Sequence, residues 1–254
     1  MLKGKHVVIT GASSGIGAAL VRELSAAGAK ITLVARRKAM LEALAAELPG
    51  PTFVVTADLA TLETGWLSDA EAALGPIDVL VNNAGLQVIG PTDSVDIEKA
   101  EASIAVNLTA PLRLIHSVLP GMRERGGTIV NITSLAALAP TPSMTWYNAT
   151  KGGLAAASEA LRGELLDSKV RVITVYPGII HDTAMAQGGL DAYEGSWAVA
   201  MQPTSTAPKL AVVLRKAIER GKARVIYPKV NTVVRWLPAT TRWLMDRFAP
   251  PVHA

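Results

Sequence analysis

Tyr147 and Lys151 stand four positions apart in the stretch Trp146-Tyr147-Asn148-Ala149-Thr150-Lys151. On a helix they share a face, one turn above the other. A phenol has a reference pKa near ~10, so bringing it to about 7 for proton exchange requires roughly 4 kcal/mol of preference for the phenolate. A lysine can supply it, because one positive charge at about 4 Å and an effective dielectric of ~20 is worth roughly 4 kcal/mol. The pair has the makings of a general acid/base. A core-edge tyrosine beside a solvated lysine gives the same spacing, so the pair needs support from elsewhere in the chain.

A second group of residues could hold an anion. Gly11-Ala12-Ser13-Ser14-Gly15-Ile16-Gly17 follows the apolar run His6-Val7-Val8-Ile9-Thr10 directly and opens a helical pattern through Ile16, Leu20, Val21 and Leu24. A glycine turn between a first strand and a first helix brings backbone N–H groups to the helix N-terminus, where the dipole also favours negative charge. Gly11, Gly15 and Gly17 are the candidates for turn, close approach and helix packing. Their Gly-x3-Gly-x-Gly spacing differs from the G-x-G-x-x-G form, so a dinucleotide and a merely structural turn both remain open here. The end of the second strand discriminates between cofactors, since a carboxylate there accepts from the ribose 2′-OH of NAD while arginine accommodates the 2′-phosphate of NADP. Val34-Ala35 is followed by Arg36-Arg37, with no carboxylate. The expectation is NADP(H), with Arg36 the stronger contact and Arg37 a candidate solvated residue opening the next helix.

The elements that must position these groups follow from periodicity. Strands are predicted at residues 6–10, 30–35, 52–56, 78–81, 127–132 and 170–175. Helices are predicted after the first two, at Leu62 to Leu74, from about Asp96 to Arg125, and at Thr145 to Asp167. Continuous apolar strands alternating with helices give an α/β fold, a doubly wound parallel sheet with helices on both faces. With half of the 254 residues hydrophobic and 18% charged, the chain can build one large core rather than remain disordered. There is no cysteine, which excludes disulfides, thiolate metal sites and cysteine nucleophiles and agrees with a cytoplasmic location. The histidines His6, His116, His181 and His253 have no metal-ligand spacing, and no metal is expected. The apolar strand begins too near the N-terminus for a signal peptide, no uninterrupted apolar segment is long enough to span a bilayer, and no aromatic-basic nucleic-acid module is present.

Thr10 to Gly17, Asn82-Asn83-Ala84-Gly85, Asn107, Ser134, Tyr147-x3-Lys151 and Pro177-Gly178 occur in this order, and from residue 5 to about 183 the chain resembles the classical short-chain dehydrogenases/reductases. Ser134 precedes Tyr147 by 13 positions, which matches the placement of the family's serine. The resemblance implies a Rossmann-like sheet of strand order 3-2-1-4-5-6-7 with the cofactor across the carboxyl ends of the strands. It implies that Tyr147 exchanges a proton with the substrate, Ser134 stabilises charge on the substrate oxygen, and Lys151 lowers the tyrosine pKa and holds the nicotinamide ribose. Asn107 would hold a water that relays protons to Lys151. Toward the cofactor it implies contacts from Gly11, Ser13, Ser14, Gly15, Ile16, Gly17, Asp58, Leu59, Asn83, Ala84 and Gly85, and from Pro177, Gly178, Ile180 and Thr183. Asn82 is expected mainly to stabilise the sheet. The spacing before Thr183 is one residue longer than the family pattern, which leaves its role and that of His181 open. Proteins of this fold that bind a dinucleotide only as a regulatory ligand commonly lose the tyrosine or the lysine, and this chain keeps both.

Residues 184–203, with Met185, Leu190, Tyr193, Trp197 and Met201, have the composition of a lid over an apolar ligand. Leu86, Val88, Leu135, Leu138, Met144 and Trp146 are further candidates for the pocket. With no anion clamp among them, the expected partner is an uncharged, moderately hydrophobic ketone or aldehyde and its alcohol; a 3-oxoacyl thioester or a hydroxysteroid is the alternative. Residues 1–228 read as one catalytic domain and 229–254 as an amphipathic extension, its two short helices divided at Pro238. Apolar and tryptophan residues interleaved with Arg235, Arg242 and Arg247 suit a strap over the entrance, a subunit interface or, less favoured, a peripheral membrane contact. The resemblance implies a homodimer or homotetramer.

Overall fold

A computed structural model describes residues 2–195, 199 and 201–249. Seven strands form a wholly parallel sheet: β1 (His6–Thr10), β2 (Lys30–Ala35), β3 (Thr52–Thr56), β4 (Ile77–Asn82), β5 (Gly127–Ile132), β6 (Val170–Pro177) and β9 (Arg224–Tyr227). Their order is β3-β2-β1-β4-β5-β6-β9. Because β7 (Ile179–Ile180) and β8 (Thr204–Ser205) pair only with each other, β9 is the seventh strand of the main sheet and the expected order holds.

Every residue of β1 is buried. The period of two explains why polar alternation is absent: Val7 and Ile9 enter one core, with α1 (Gly15–Ala26) and α8 (Ala207–Arg220), while Val8 enters the other, with α5 (Ala110–Arg125). Full burial of a Val, Leu or Ile side chain contributes roughly 1.5–3 kcal/mol, so both faces hold the sheet. His6 and Thr10 are the polar residues of β1, and His6 is held at the strand's start. Its Nδ1–H donates to the Gly75 carbonyl at 2.6 Å and its Nε2 accepts from the Thr32 hydroxyl at 2.8 Å, making it a satisfied structural residue.

β1 lies between β2 and β4, so the connections leaving these strands diverge to opposite faces and open a crevice at the carboxyl edge. A buried polar ladder fixes the next strands beside it. Asn82 donates to Asn131 at 2.8 Å, Asn131 to Ser158 at 2.8 Å, and Ser158 to the Leu154 carbonyl at 2.6 Å, tying β4 and β5 to α6 (Thr145–Glu164). Asn82 is thus a sheet residue, as expected.

Two helices depart from the sequence reading. After α2 (Lys38–Ala46), the helix expected from Leu62 is α3 (Trp66–Leu74). The Asp58 side chain accepts from the Ala60 N–H at 3.0 Å and starts a separate 3₁₀ turn, Leu59–Thr61, which Leu62 ends in a left-handed conformation at φ 62°. The long helix begins as α4 (Ile97–Ile104), passes through a π turn (Ala105–Thr109) and continues as α5. This run of 29 residues is long and apolar enough by length and composition to cross a membrane, although charged residues interrupt it. Its Leu114, Ile115, Val118 and Met122 are nonetheless buried in the core against the sheet.

Beyond β9, α9 (Thr232–Trp236) and α10 (Pro238–Phe248) are divided at Pro238, which occupies the first helical position. The extension lies on its own chain. Arg235 stands 3.9 Å from Glu159 of α6, a carboxylate that Arg162 and Arg224 also engage, and Arg242 donates to the Pro140 carbonyl at 3.2 Å.

Candidate active site

The glycine turn is shaped by close approaches that only glycine permits. Gly11 has φ +65°, and a Cβ there would lie 2.8 Å from Ala84 Cα. One on Gly17 would fall 2.1 Å from the Gly11 carbonyl oxygen, so α1 packs directly on the turn. Thr10 joins turn and sheet: its hydroxyl accepts from the N–H groups of Asn83 and Ala84 at 3.0 and 3.1 Å. The Asn83 amide returns a bond to the Thr10 carbonyl at 2.9 Å. Ser14, at the N-cap of α1, makes no side-chain cap, which leaves the first-turn N–H groups facing the crevice.

Arg37 closes this end. Its guanidinium donates to Ser13 Oγ at 2.7 Å and to Ser14 Oγ at 2.7 Å. Arg36 is exposed and 3.8 Å from Asp58. Arg37 is exposed and opens α2 at its N-cap, as expected, and in addition it reaches back over the two serines. At the end of β2 the backbone turns so that the second arginine, not the first, reaches over the serines.

At the other end, Ser134 leaves β5 and caps the 3₁₀ turn Leu135–Ala137, its Oγ accepting from the Ala136 N–H at 3.1 Å. Tyr147 and Lys151 project from one face of α6 and are 6% and 3% exposed. Burial pushes the Tyr147 phenol above its ordinary pKa, and the hydrogen-bonding Ser134 hydroxyl pulls the other way without reversing the shift. Burial lowers Lys151 to about 8. Its ammonium lies 5.8 Å from the Tyr147 ring centre and donates to the Ile132 carbonyl at 2.9 Å. The expectation that the lysine depresses the tyrosine pKa is not met here, because desolvation prevails and the nearest acceptor for the cation is backbone.

Asn107 occupies the π turn and is fully buried. Its Oδ1 accepts from the Leu86 N–H at 2.7 Å, and its Nδ2 donates to the Leu86 carbonyl at 2.7 Å and to Thr150 Oγ1 at 3.1 Å. Asn107 thereby fixes the segment after β4 against α6. The virtual Cβ of Gly85 lies 3.4 Å from both Asn107 Oδ1 and Lys151 Nζ, so these two groups border the same gap.

These residues line one continuous cavity of about 860 Å³. Gly11, Ser13, Ser14, Gly15, Ile16, Arg36, Arg37, Asp58, Leu59, Asn83, Ala84 and Gly85 form its polar end, and Ser134, Tyr147, Lys151, Pro177, Gly178, Ile180 and Thr183 its middle. Gly17 and Asn107 stand behind the wall as supports. Thr183 bridges the two parts: it caps α7 (Ala184–Ala192) by accepting from the Ala186 N–H at 3.2 Å, and its methyl lies 3.2 Å from the virtual Cβ of Gly15. His181 is exposed and outside the lining.

The lid reading is sharpened. None of α7 is buried, and the β7–β8 pair brackets its base. Tyr193 pins its far end by donating to the Pro142 carbonyl at 2.6 Å, while burial pushes its phenol up to about 12. Met185 and Leu190 line the cavity; Met201 is 77% exposed and does not, and Trp197 lies outside the described residues. Of the other pocket candidates Leu86, Leu135 and Met144 line it, whereas Val88, Leu138 and Trp146 do not. The inner stripe of the extension, Val233, Leu237, Thr241, Leu244 and Met245, also lines the cavity, which agrees with the strap among the readings of the extension.

The residues present fit a dinucleotide: an uncapped helix start, a glycine cradle and arginines at the end of β2. The short chain dehydrogenase family model matches residues 5–193. A fatty acyl-CoA reductase of Mycobacterium tuberculosis is 34% identical over 254 residues, covering 96% of this chain and 83% of its own. A metagenomic short-chain oxidoreductase solved in complex with NADP is 32% identical with a TM-score of 0.73, covering 89% of this chain and 97% of that one. A 3-ketoacyl-(acyl-carrier-protein) reductase from Brucella melitensis, solved with NADH, is 26% identical with a TM-score of 0.80, covering 89% and 98%. With its seven-stranded sheet, its glycine turn and its serine, tyrosine and lysine on one cavity, this chain belongs to the short-chain dehydrogenase family and is an oxidoreductase of that family.

Proposed function

We propose that the protein is an NADP(H)-dependent carbonyl reductase and alcohol dehydrogenase acting on an uncharged, moderately hydrophobic ketone or aldehyde. The observation that carries this reading is a buried, neutral Tyr147 phenol beside the Ser134 hydroxyl, between a polar nucleotide cradle and an apolar cavity. A bound nicotinamide supplies the hydride for the carbonyl carbon. Ser134 and Tyr147 donate hydrogen bonds to the carbonyl oxygen, Tyr147 gives it the proton, and in oxidation the same proton returns. Lys151 holds the ribose and restores the charge balance as the phenol ionises; Asn107 keeps the flanking backbone in register and borders the path of proton return.

Arg36, Arg37 and the absence of a carboxylate at the end of β2 support a 2′-phosphate. The cofactors of the solved relatives differ, so the test is steady-state turnover with NADPH and NADH in wild type, Arg36→Ala and Arg37→Ala. NADPH preference that falls at least about tenfold in either variant is expected; NADH preference in the wild type overturns the assignment.

A second reading, reduction of an acyl thioester, is supported by the coverage of the mycobacterial relative. Turnover of a 3-oxoacyl or fatty acyl thioester in preference to free ketones and aldehydes would select it. We also propose a homodimer or homotetramer through α5 and α6, where Leu112 of α5 and Leu166, just past the end of α6, are 40% and 77% exposed; light scattering measures it.

A further inference from the structure

The cavity does not stop at the catalytic residues. From Tyr147 it runs between α7 and the loop before α6 to the inner stripe of the extension, where Leu237, Leu244 and Met245 form its distal wall. Beyond Lys151 no charged side chain among the described residues lines it. Three methionines from three separate segments surround this sector: Met144 before α6, Met185 on α7 and Met245 on α10. Methionine side chains are unbranched and adapt to a ligand of variable shape, where a rigid ring system would favour branched or aromatic walls. The far side of the extension is held by the main body through Arg235 and Arg242, so the wall is anchored rather than a loose tail.

We propose that the extension is a chain-binding wall, and that the substrate is an aldehyde or methyl ketone carrying an unbranched aliphatic chain that runs from Tyr147 to Leu244 and Met245. This rests on the carbonyl-reductase reading and adds the substrate class to it. The chain lies along apolar surface with its polar head at Ser134 and Tyr147. Each methylene sheltered from water raises kcat/KM by up to about fourfold, until the chain passes α10. Leu237 and Leu244 are 50% and 45% exposed, so polar replacement there leaves the core intact.

The test is an aldehyde series from butanal to decanal with NADPH, in wild type and in the double variant Leu244→Gln/Met245→Gln, with circular dichroism to verify folding. Wild type is expected to favour decanal by at least about tenfold in kcat/KM, and the double variant to lower the decanal-to-butanal ratio at least about tenfold, chiefly through KM. Met245→Trp, which fills the wall instead of wetting it, is expected to shift the optimum to a shorter chain. Equal kcat/KM for butanal and decanal in the wild type, or an unchanged ratio in the double variant, overturns the wall. Melting curves with decan-1-ol and butan-1-ol separate the two readings. If neither the aldehydes nor the matching 2-alkanones are reduced, the carbonyl-reductase reading fails, and a decanol-specific stabilisation lost in the double variant still supports the wall, whereas its absence from the wild type overturns it.

Discussion

Lys151 spends its ammonium on the carbonyl oxygen of Ile132, 2.9 Å away, while standing 5.8 Å from the ring centre of Tyr147, one turn back on the same helix. The lysine thus bolts α6 to the end of β5 and leaves the neighbouring phenol neutral. Two buried titratable groups sit side by side, each pushed toward its uncharged form.

Because burial lowers Lys151 to about 8, its positive charge is complete below that pH and is lost above it. Binding of the anionic NADP⁺ to the free protein is expected to weaken as pH rises through about 8. Lys151→Met should bind more weakly at neutral pH and lose the step. Fluorescence titration of both proteins across the range checks it; an identical step in the variant would assign it elsewhere.

Tyr147→Phe removes the proton donor and keeps the ring. Its kcat is expected to fall by about 10²- to 10⁴-fold. The melting temperature should change little, because the buried ring is kept and the lost hydroxyl engages the Ser134 hydroxyl and, at 4.0 Å, the Met185 sulfur, a net contribution of about 1 kcal/mol. Retained turnover rejects the role of Tyr147.

His6 supplies an acid-sensitive element far from the chemistry. Burial lowers its folded pKa below 6.5, so at lower pH the unfolded chain binds more protons than the folded one. Its contribution to stability is present above pH 6.5 and is lost as pH falls through the folded value. His6→Gln cannot titrate, and its melting temperature is expected to fall less than that of wild type between about pH 7 and about pH 5. Equal falls would exclude His6 as the sensor.

Tyr193→Phe deletes the donor to the Pro142 carbonyl and frees the far end of α7. A net loss of about 1 kcal/mol, local to the lid, is expected. KM should rise more than kcat falls, and amide exchange in residues 184–192 should accelerate. A variant with wild-type KM and exchange shows that the latch does not hold the lid.

What was legible in the sequence was local or carried by a motif. β1 and β2 declare themselves as continuous apolar runs because both their faces are covered, and the Gly11–Gly17 turn is readable because a Cβ on Gly17 or Gly11 would fall 2.1 or 2.8 Å from a backbone atom. Pro238 divides α9 from α10 by its covalent structure. The features that stayed hidden depend on residues distant in the chain. Arg37 gains its role from Ser13 and Ser14, Tyr193 from Pro142, and the extension from a cavity whose other walls come from α7 and the loop before α6. The pKa of Tyr147 belongs to this second group, since spacing reports a neighbouring cation but not how dry the site is.

The π turn at Ala105–Thr109 also sets a phase. Successive residues of an α-helix are rotated by about 100°, so one extra residue within a turn swings everything after it by that angle. Upstream, α4 keeps company with α6; downstream, α5 faces β4 and β5. One uninterrupted rod therefore serves two neighbours in different directions, with Asn107 at the change of phase. Deleting a single residue from this turn would leave a regular helix of nearly the same length and composition, yet it would turn either Asn107 away from Leu86 or the apolar stripe of α5 away from the sheet. A substitution scan of side chains would not reveal that dependence, because it resides in the count of residues.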